Sequence, residues 1–264
     1  MSDRFQFLLT RREGTVEYLT LNRPDVLNAF NEQVIAELTA WAATINADDN
    51  VRCVVLAGAG KMFCAGADIA WLSQALTSTH DENVRDANAM ARMFAALDTL
   101  PVPLIGRIHG AALGGGAGLA AVCDVAVTDE GAVFGFTEVK LGILPAVISP
   151  YALAKIGRSA ARELFLTGMR FGAQRAKEIG LVHAVVAADR LDSTIAMYVN
   201  EVLGGAPDAI ATAKGLIPRV WARGASDAAG LTAEAIAAQR ASAEGREGLR
   251  AFLEKRKASW NISR

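Results

Sequence analysis

The sequence is poor in the residues that mark membrane-spanning, secreted and metal-binding proteins. Its 264 residues include three cysteines and three histidines, and no group of them has the spacing of a metal site. It contains no run of about eighteen uncharged apolar residues, so no membrane span is expected. The first residues lack the basic and then apolar pattern of a secretory signal. We therefore expect a cytoplasmic protein with free thiols, without a bound metal and without a membrane partner.

The chain also lacks an excess of charge of either sign. Its formal net charge is −1 and its isoelectric point is near 6.3, so no nucleic-acid partner is expected. Apolar residues make up 52% of the chain and charged residues 21%, as in ordinary globular proteins. A chain of this length can bury a sizeable core, in one large domain or in one domain with an appendage.

Strand-like and helical patterns alternate along the first half of the chain. Gly14 separates the strand-like runs 5–9 and 15–21 as a hairpin would. Asn31 has the position of an N-cap before a helix-periodic segment. Continuous apolar runs then predict strands that are buried on both faces, at 51–57, 104–108 and 122–128.

The remaining segments indicate an α/β protein whose last third is helical. The polar segment 74–86 predicts a mobile loop, and a helix is expected over 84–97. After Ser149 the chain becomes alanine-rich with helical periodicity. Alternating strands and helices indicate an α/β architecture, although the irregular spacing of the buried strands disfavours a plain doubly wound sheet.

The most informative segment is a glycine-rich turn between a predicted strand and a predicted helix. Gly114, Gly115 and Gly116 open the helical segment that follows the run 104–108. Glycine allows a ligand to approach the backbone closely. The first amides of a helix have no partner within it and lie at the positive end of its dipole. Such a turn can stabilise negative charge on an oxygen atom.

Glu138 is the candidate group for proton transfer. It lies in the sequence among apolar residues, namely Phe134, Phe136, Val139, Leu141 and Ile143. Apolar surroundings raise the pKa of a carboxyl group toward values that are useful in general acid–base catalysis. An oxyanion site combined with such a carboxyl group indicates proton transfer next to a carbonyl.

Five motifs, in order along nearly the whole chain, resemble those of the enoyl-CoA hydratase/isomerase family, the crotonases. They are LNRPDVLNAF at 21–30, FCAGADI at 63–69, the glycine block at 106–124, the segment around Glu138, and AFLEKRK at 251–257. The resemblance implies an α/β fold, a crotonase-like spiral of ββα units over residues 1–195. It also implies a C-terminal helical region at 196–264 that forms a homotrimer or a hexamer, a dimer of trimers.

The resemblance further implies an acyl-CoA substrate and particular site residues. Coenzyme A is then part of the substrate, and no separate cofactor is expected. The backbone amides of Ala67 and Gly115 would hold the thioester oxygen, and Glu138 would be the acid/base. Positions that match substrate-binding or CoA-binding residues of the family are Arg23, Val26, Leu27, Ala65, Asp68, Ile69, Gly114, Gly118, Phe252 and Lys255. Phe252 and Lys255 would contact CoA adenine or phosphate, in the same or in a neighbouring subunit.

The chain departs from the usual hydratase pattern at Gly118, where the family's second catalytic glutamate would fall. Three interpretations stay open: hydration of a 2-enoyl-CoA, isomerisation of a 3-enoyl-CoA to a 2-enoyl-CoA, and a catalytically silent acyl-CoA-binding or RNA-associated homologue. We favour hydration, because segments 114–119 and 134–150 together are similar to bacterial hydratases of branched, carboxylated enoyl-CoAs. The methylglutaconyl-CoA hydratases of leucine breakdown are the nearest of these. Residues 70–95 and 144–150 are expected to shape the acyl pocket.

Other polar residues have a structural interpretation beside a functional one. Asp68 is expected to pair with backbone amides, and Asp124 to stabilise a turn. His109 is expected to be a hydrogen-bonded residue at a strand end, with an approach to the acyl group as the alternative. His80 and His183 are not expected to take part in chemistry.

Overall fold

The computed structural model describes residues 4–74 and 76–261. Its strands are β1 (Leu8–Glu13), β2 (Val16–Leu21), β3 (Cys53–Gly58), β4 (Leu104–Ile108), β5 (Ala111–Leu113), β6 (Val125–Asp129), β7 (Val133–Gly135), β8 (Arg170–Gly172) and β9 (Ala184–Val186). Its helices are α1 (Glu32–Asn46), α2 (Ile69–Gln74), α3 (His80–Asp98), α4 (Gly115–Val122), α5 (Ser149–Thr167), α6 (Ala173–Glu178), α7 (Leu191–Gly204), α8 (Pro207–Trp221), α9 (Ala225–Ala241) and α10 (Ala243–Leu253). The described residues exclude 1–3 and 262–264, which are the ends of the two predicted domains. They also exclude Ala75, which belongs to the predicted loop.

Two sheets form the strand part of the fold. The larger sheet has the order β1-β2-β3-β4-β6-β9, in which only the β1–β2 pair is antiparallel. The smaller sheet has the order β5-β7-β8, with β5 and β7 parallel. The strands β3 and β4 are almost wholly buried, because helices cover both faces of a parallel sheet and its strands are apolar on both sides.

The core lies between the larger sheet and helices α1, α3, α4 and α5. Trp41, Phe94 and Leu119 are among its fully buried side chains. Helix α4 is built from glycine, alanine and a few aliphatic residues, and all of it after Gly115 is buried. Its small residues allow this short helix to run through the centre of the molecule rather than over its surface.

The predicted hairpin, N-cap and buried strands are confirmed, with shifted ends at several strands. Asn31 caps α1 by accepting a hydrogen bond from Val34 N at 3.0 Å. The hairpin's first strand begins at Leu8, later than predicted, because the amides of Gln6 and Phe7 donate to the carboxylate of Glu37. The segment before Leu8 is therefore attached to helix α1, although Phe7 O still accepts a hydrogen bond from Asn22 N at 2.8 Å.

The predicted mobile loop at 74–86 is wrong over its second half. Helix α3 begins at His80, because Thr79 and Glu82 form a capping box in which each side chain binds the other residue's backbone amide. The predicted domain boundary at residue 195 falls within helix α7, and the division itself stays a prediction. Within the described part of the chain, no helix is both long and apolar enough to cross a membrane.

Candidate active site

The candidate site lies where the chain leaves the carboxyl ends of β2, β3 and β4. The carboxyl ends of neighbouring parallel strands meet at one edge of a sheet, which is where α/β proteins commonly bind ligands. The segments that follow β3 and β4 pair with each other there through a Cys64–Ala112 bridge, and Phe30 pairs with Ala67. A cavity of about 520 Å³ opens at this edge, and its walls include Ala67, Gly115 and Glu138.

The backbone amide of Ala67 is free to bind a ligand. In the parallel bridge with Phe30, the Phe30 amide donates to Gly66 O at 2.7 Å, and the Asp68 amide donates to Phe30 O at 2.7 Å. Ala67 itself therefore turns its own amide away from Phe30. Among residues 4–74 and 76–261, no acceptor is found for this N–H group, which leaves it for a ligand in the cavity.

The amide of Gly115 lies beside the same segment. A Cβ atom added to Gly66 would lie 3.5 Å from Gly115 N, and one added to Gly114 would lie 3.9 Å from Gly66 Cα. Gly66 and Gly114 have φ values of +95° and +50°, in the region that side chains disfavour. Glycine at these two positions allows the two backbone segments to approach each other closely, and Ala67 and Gly115 line the same cavity.

Gly115 is also the first residue of α4, so its amide has no acceptor within the helix. The positive end of the helix dipole adds to the two N–H dipoles. Two such donors can hold one carbonyl oxygen and stabilise the negative charge that develops on it. In enzymes with this arrangement each donor contributes about 3 kcal/mol to transition-state stabilisation.

Glu138 brings a carboxyl group to the same place. It follows β7 and begins a short 3₁₀ turn over Glu138–Leu141. A Cβ atom on Gly114 would lie 3.3 Å from Glu138 Oε1. The other oxygen, Oε2, is buried and has no hydrogen-bond partner among the residues that the structure describes. Burial raises the pKa of Glu138, and only a hydrogen bond from its own backbone amide opposes this shift.

The walls of the cavity beyond these groups are mostly apolar. They include Trp71 and Leu72 of α2, Ala87 and Met90 of α3, and residues 143–148. The expectation that residues 70–95 and 144–150 shape this pocket agrees with these walls. Asn83 and Asp86 of α3 add polar groups.

Gly118 faces packed side chains rather than open cavity. A Cβ atom there would overlap Cγ2 of Ile148 and lie 3.0 Å from Cζ of Phe94. Ile148 is 3% exposed and lines the cavity. The space that a longer residue at position 118 would need is therefore filled by Ile148.

Arg23 and Asp68 are held by each other beside the cavity. Arg23 Nη2 donates to Asp68 Oδ2 at 2.9 Å and Nη1 donates to Ala29 O at 2.7 Å. The guanidinium group also lies over the ring of Phe7. Desolvation raises the pKa of Asp68, but hydrogen bonds from Ala70 N and Arg23, with the charge of Arg23, together lower it below its ordinary value. This ion pair therefore joins the loop after β2 to the segment after β3.

The remaining predicted binding positions are spread more widely. Ala65 and Gly114 line the cavity with Ala67, Gly115 and Glu138, whereas Arg23, Asp68 and Gly118 lie outside its lining. Val26 and Leu27 lie exposed on the turn after β2. Three further positions lie at the surface outside the cavity lining: Ile69, Phe252 and Lys255.

The histidines and Asp124 have structural surroundings. His109 Nε2 lies 3.0 Å from Gly60 O, and the residue does not line the cavity. His183 Nδ1 accepts a hydrogen bond from Ala126 N. Asp124 Oδ2 accepts from Leu104 N and from Lys214 Nζ, each at 2.7 Å.

The wall that α3 contributes lies within the predicted range 70–95, but its individual residues were not predicted. Asn83, Asp86, Ala87 and Met90 have the spacing i, i+3, i+4 and i+7, which places them on one helical face. Two signals could have revealed this face: that spacing, and Thr79 three residues before Glu82, which is the pattern of a capping box.

Comparison with known proteins adds an independent line of evidence. The sequence profile described as enoyl-CoA hydratase/isomerase matches residues 11–263. The chain belongs to this family. The short-chain-enoyl-CoA hydratase of Clostridium acetobutylicum is 33% identical over 252 residues, which are 95% of each chain.

Solved structures of family members confirm the predicted crotonase-like α/β fold. A crystal structure of an enoyl-CoA hydratase from Shewanella pealeana is 36% identical, covers 97% of both chains and has a TM-score of 0.94. The enoyl-CoA hydratase of Mycobacterium smegmatis is 33% identical, with a TM-score of 0.92, over 97% of this chain and all of the other. The family thus shares its fold with this chain over almost its full length.

Proposed function

We propose that the protein reversibly hydrates a 2-enoyl-CoA thioester. The observation that carries the proposal is the buried, unpaired carboxyl oxygen of Glu138, which lines the same cavity as Ala67 and Gly115. Full-length relatives named as enoyl-CoA hydratases support this reaction.

Each group has a defined role in the proposed reaction. The amides of Ala67 and Gly115 bind the thioester oxygen and stabilise the enolate that forms when the β-carbon is attacked. The carboxylate of Glu138 takes a proton from water as the water oxygen bonds to the β-carbon. The protonated carboxyl group then delivers that proton to the α-carbon, which collapses the enolate and regenerates the carboxylate. One carboxyl group therefore suffices for both proton transfers.

The proposed acyl group is short or branched and mainly apolar. Met90, Trp71 and Ile148 offer apolar contact, and the cavity of about 520 Å³ accepts a compact acyl chain. The resemblance to methylglutaconyl-CoA hydratases gives a competing prediction, namely branched, carboxylated enoyl-CoAs. None of the described residues that line the cavity is Lys, Arg or His, so this chain itself offers an acyl carboxylate no cationic partner there.

Isomerisation of a 3-enoyl-CoA is the second candidate function. It is favoured by the packing of Ile148 against Gly118, which leaves no room for a second carboxylate at that position. Moving a proton from the α-carbon to the γ-carbon requires one acid/base group and the same oxyanion hole. A catalytically silent acyl-CoA-binding protein would have no need of a buried, unpaired carboxyl group.

The two reactions are separated by the ultraviolet absorbance of the conjugated thioester. Water addition to crotonyl-CoA removes this absorbance, whereas isomerisation of 3-hexenoyl-CoA creates it. We expect loss of absorbance with crotonyl-CoA. Isomerisation without any hydration would replace the first proposal by the second, and binding of both thioesters without turnover would contradict both.

Glu138→Gln tests the catalytic group. The substitution removes the proton acceptor but keeps the size of the side chain, so kcat should fall by about 10²- to 10⁴-fold. Binding of the acyl-CoA, measured by calorimetry, should persist. Glu130→Gln is the matched control, because Glu130 is an exposed glutamate on the loop before β7. Full activity of Glu138→Gln would remove this residue from the mechanism.

We also propose self-association through the outer face of α8 and α9. Ile217 and Trp221 are 68% and 82% exposed and lie in one apolar groove with Leu216 and Val220. Contiguous exposed apolar surface favours burial against another subunit. The resemblance implies that this subunit is a second copy, in a homotrimer or a dimer of trimers.

We also propose a cytoplasmic location, which agrees with the three buried, free cysteines.

A further inference from the structure

Helix α3 presents a polar stretch to a cavity whose other walls are mostly apolar. The four residues that face the cavity run from Asn83 and Asp86, which are exposed, to Met90, which is partly buried. Phe94 lies one turn further along α3 and is fully buried in the core. The polar groups therefore lie near the mouth of the cavity, and the apolar groups lie deeper.

The polar groups of this wall offer only hydrogen-bond acceptors. The side-chain nitrogen of Asn83 already donates to the carbonyls of Ser78 and Thr79, at 3.4 and 3.1 Å. Its side-chain oxygen has no donor among the described residues. Asp86 forms no salt bridge or side-chain hydrogen bond in the described part of the chain. The nearby cation Arg85 pairs with Glu82 instead, with 3.8 Å between Nη2 and Oε1.

The charges of the cavity have one sign. Its ionisable side chains among the described lining residues are Glu138 and Asp86, both carboxyl groups. A third carboxylate on the acyl group, placed beside α3, would meet the like charge of Asp86 and the free acceptor oxygen of Asn83. A neutral acyl group, or one carrying a hydroxyl donor, meets no such penalty.

On this basis we propose that Asp86 is a specificity-determining residue that selects against anionic acyl groups. The proposal rests on the proposed hydratase function and concerns the same site. It predicts that acyl-CoA substrates of this protein are neutral at the end distant from the thioester, or carry a hydrogen-bond donor there.

Two enoyl-CoAs of similar length and different charge test the proposal. We would measure kcat/KM for 2-hexenoyl-CoA, which is neutral, and for glutaconyl-CoA, whose acyl chain ends in a carboxylate. The readout is the ratio of the two values. Asp86→Asn removes the charge with little change in shape, and it should lower the preference for the neutral substrate about 3- to 10-fold. Asp86→Lys should lower the preference further.

Control variants separate charge from structure. Asp86→Glu keeps the charge and should keep the preference. Asp81→Asn removes an exposed carboxylate from the first turn of the same helix, outside the cavity lining, and should leave both activities unchanged. Added salt should weaken the preference of the wild-type protein more than that of Asp86→Asn, because salt screens exposed charges.

Failure of this inference is distinguishable from failure of the proposed function. If the wild-type protein hydrates 2-hexenoyl-CoA but Asp86→Asn and Asp81→Asn have the same ratio, Asp86 does not determine specificity and hydration stands. If the wild-type protein hydrates neither thioester, both proposals fail. Efficient hydration of glutaconyl-CoA by the wild-type protein would overturn the inference alone.

Discussion

At the scale of the residue, the burial of Glu138 destabilises its charged form and makes it a stronger base. Its Oε2 atom is buried without a partner, and burial raises the pKa of the carboxyl group above its ordinary value of 4.5. The charged form is thereby destabilised, which makes it a stronger base at neutral pH. Buried polar groups without partners are uncommon in folded proteins, and a catalytic role is one reason why they occur.

This cost should appear in the pH dependence of stability. The folded state holds the Glu138 proton more tightly than the unfolded state, so stability falls as pH rises from about 4.5 through the raised pKa. Glu138→Gln has no proton to lose. We therefore expect its free energy of unfolding, relative to the wild-type protein, to increase over that range and to show no such gain below it. Urea denaturation at several pH values measures the difference, and a constant difference across pH would contradict this prediction.

Gly118 is constrained by the volume around it. An added methyl group would overlap Ile148 and press against Phe94. Gly118→Ala should destabilise the protein by about 1–3 kcal/mol, the usual cost of overpacking a core, as measured by chemical denaturation. Gly118→Ala should cost less in an Ile148→Ala background, because alanine at position 148 lacks the Cγ2 atom that the added methyl group would overlap.

Gly230→Ala serves as the control for this substitution. Gly230 lies within α9 with no atom within 4 Å of an added Cβ, so alanine there should be neutral or stabilise the helix by up to about 1 kcal/mol. Equal effects of the two substitutions would show that space is not what constrains Gly118.

Because Ile148 fills the space beside position 118, Gly118→Glu alone is not expected to supply a second catalytic carboxylate.

At the scale of elements, the helices after β9 are attached to the core by polar groups as well as by apolar packing. Lys214 of α8 donates to Asp124 Oδ2 at 2.7 Å and to Val102 O at 3.1 Å, and Asp124 also accepts from Leu104 N. This network joins α8 to the beginning of β4 and to the turn before β6. Arg52 acts similarly on the end of α7, where it donates to the carbonyls of Leu203 and Gly205.

Lys214→Met tests this attachment. Methionine keeps the length of the side chain but leaves a partly buried Asp124 without its cation, which should cost about 1 kcal/mol. Hydrogen exchange should rise in α8 before it rises in the sheet. Lys177→Met, on the exposed surface of α6, is the control and should have little effect. Equal stability of the two variants would mean that apolar packing alone holds α8.

At the scale of the whole molecule, the exposed groove on α8 and α9 predicts assembly. Trp221→Asp places a charge in the proposed interface, and it should reduce the mass measured by light scattering toward that of a single chain, because charged residues are costly at the centre of an interface. Leu9→Asp, on the exposed side of β1, is the control and should keep the mass of the wild-type protein. A monomeric wild-type protein would contradict the proposal.

Parts of this molecule follow from the sequence because their causes are local. Asn31 caps α1 as predicted, the run at 104–108 is a strand as predicted, and Gly14 forms the turn of a hairpin. Short-range steric and hydrogen-bonding preferences decide such features. The prediction that the FCAGADI motif and the glycine block form one site came from the family resemblance, which five motifs in the same order support.

Other features depend on contacts between distant segments. The short strands β5, β7 and β8 were not predicted, because three residues carry little periodicity and their pairing partners are far away in the sequence. The unpaired state of Glu138 depends on which groups surround it in space, and so does the filling of the space at Gly118 by Ile148. The sequence alone thus determined the backbone turns and the residue types that can perform the chemistry. The tertiary structure decided which of these groups meet in one cavity, since burial and proximity depend on how the whole chain packs.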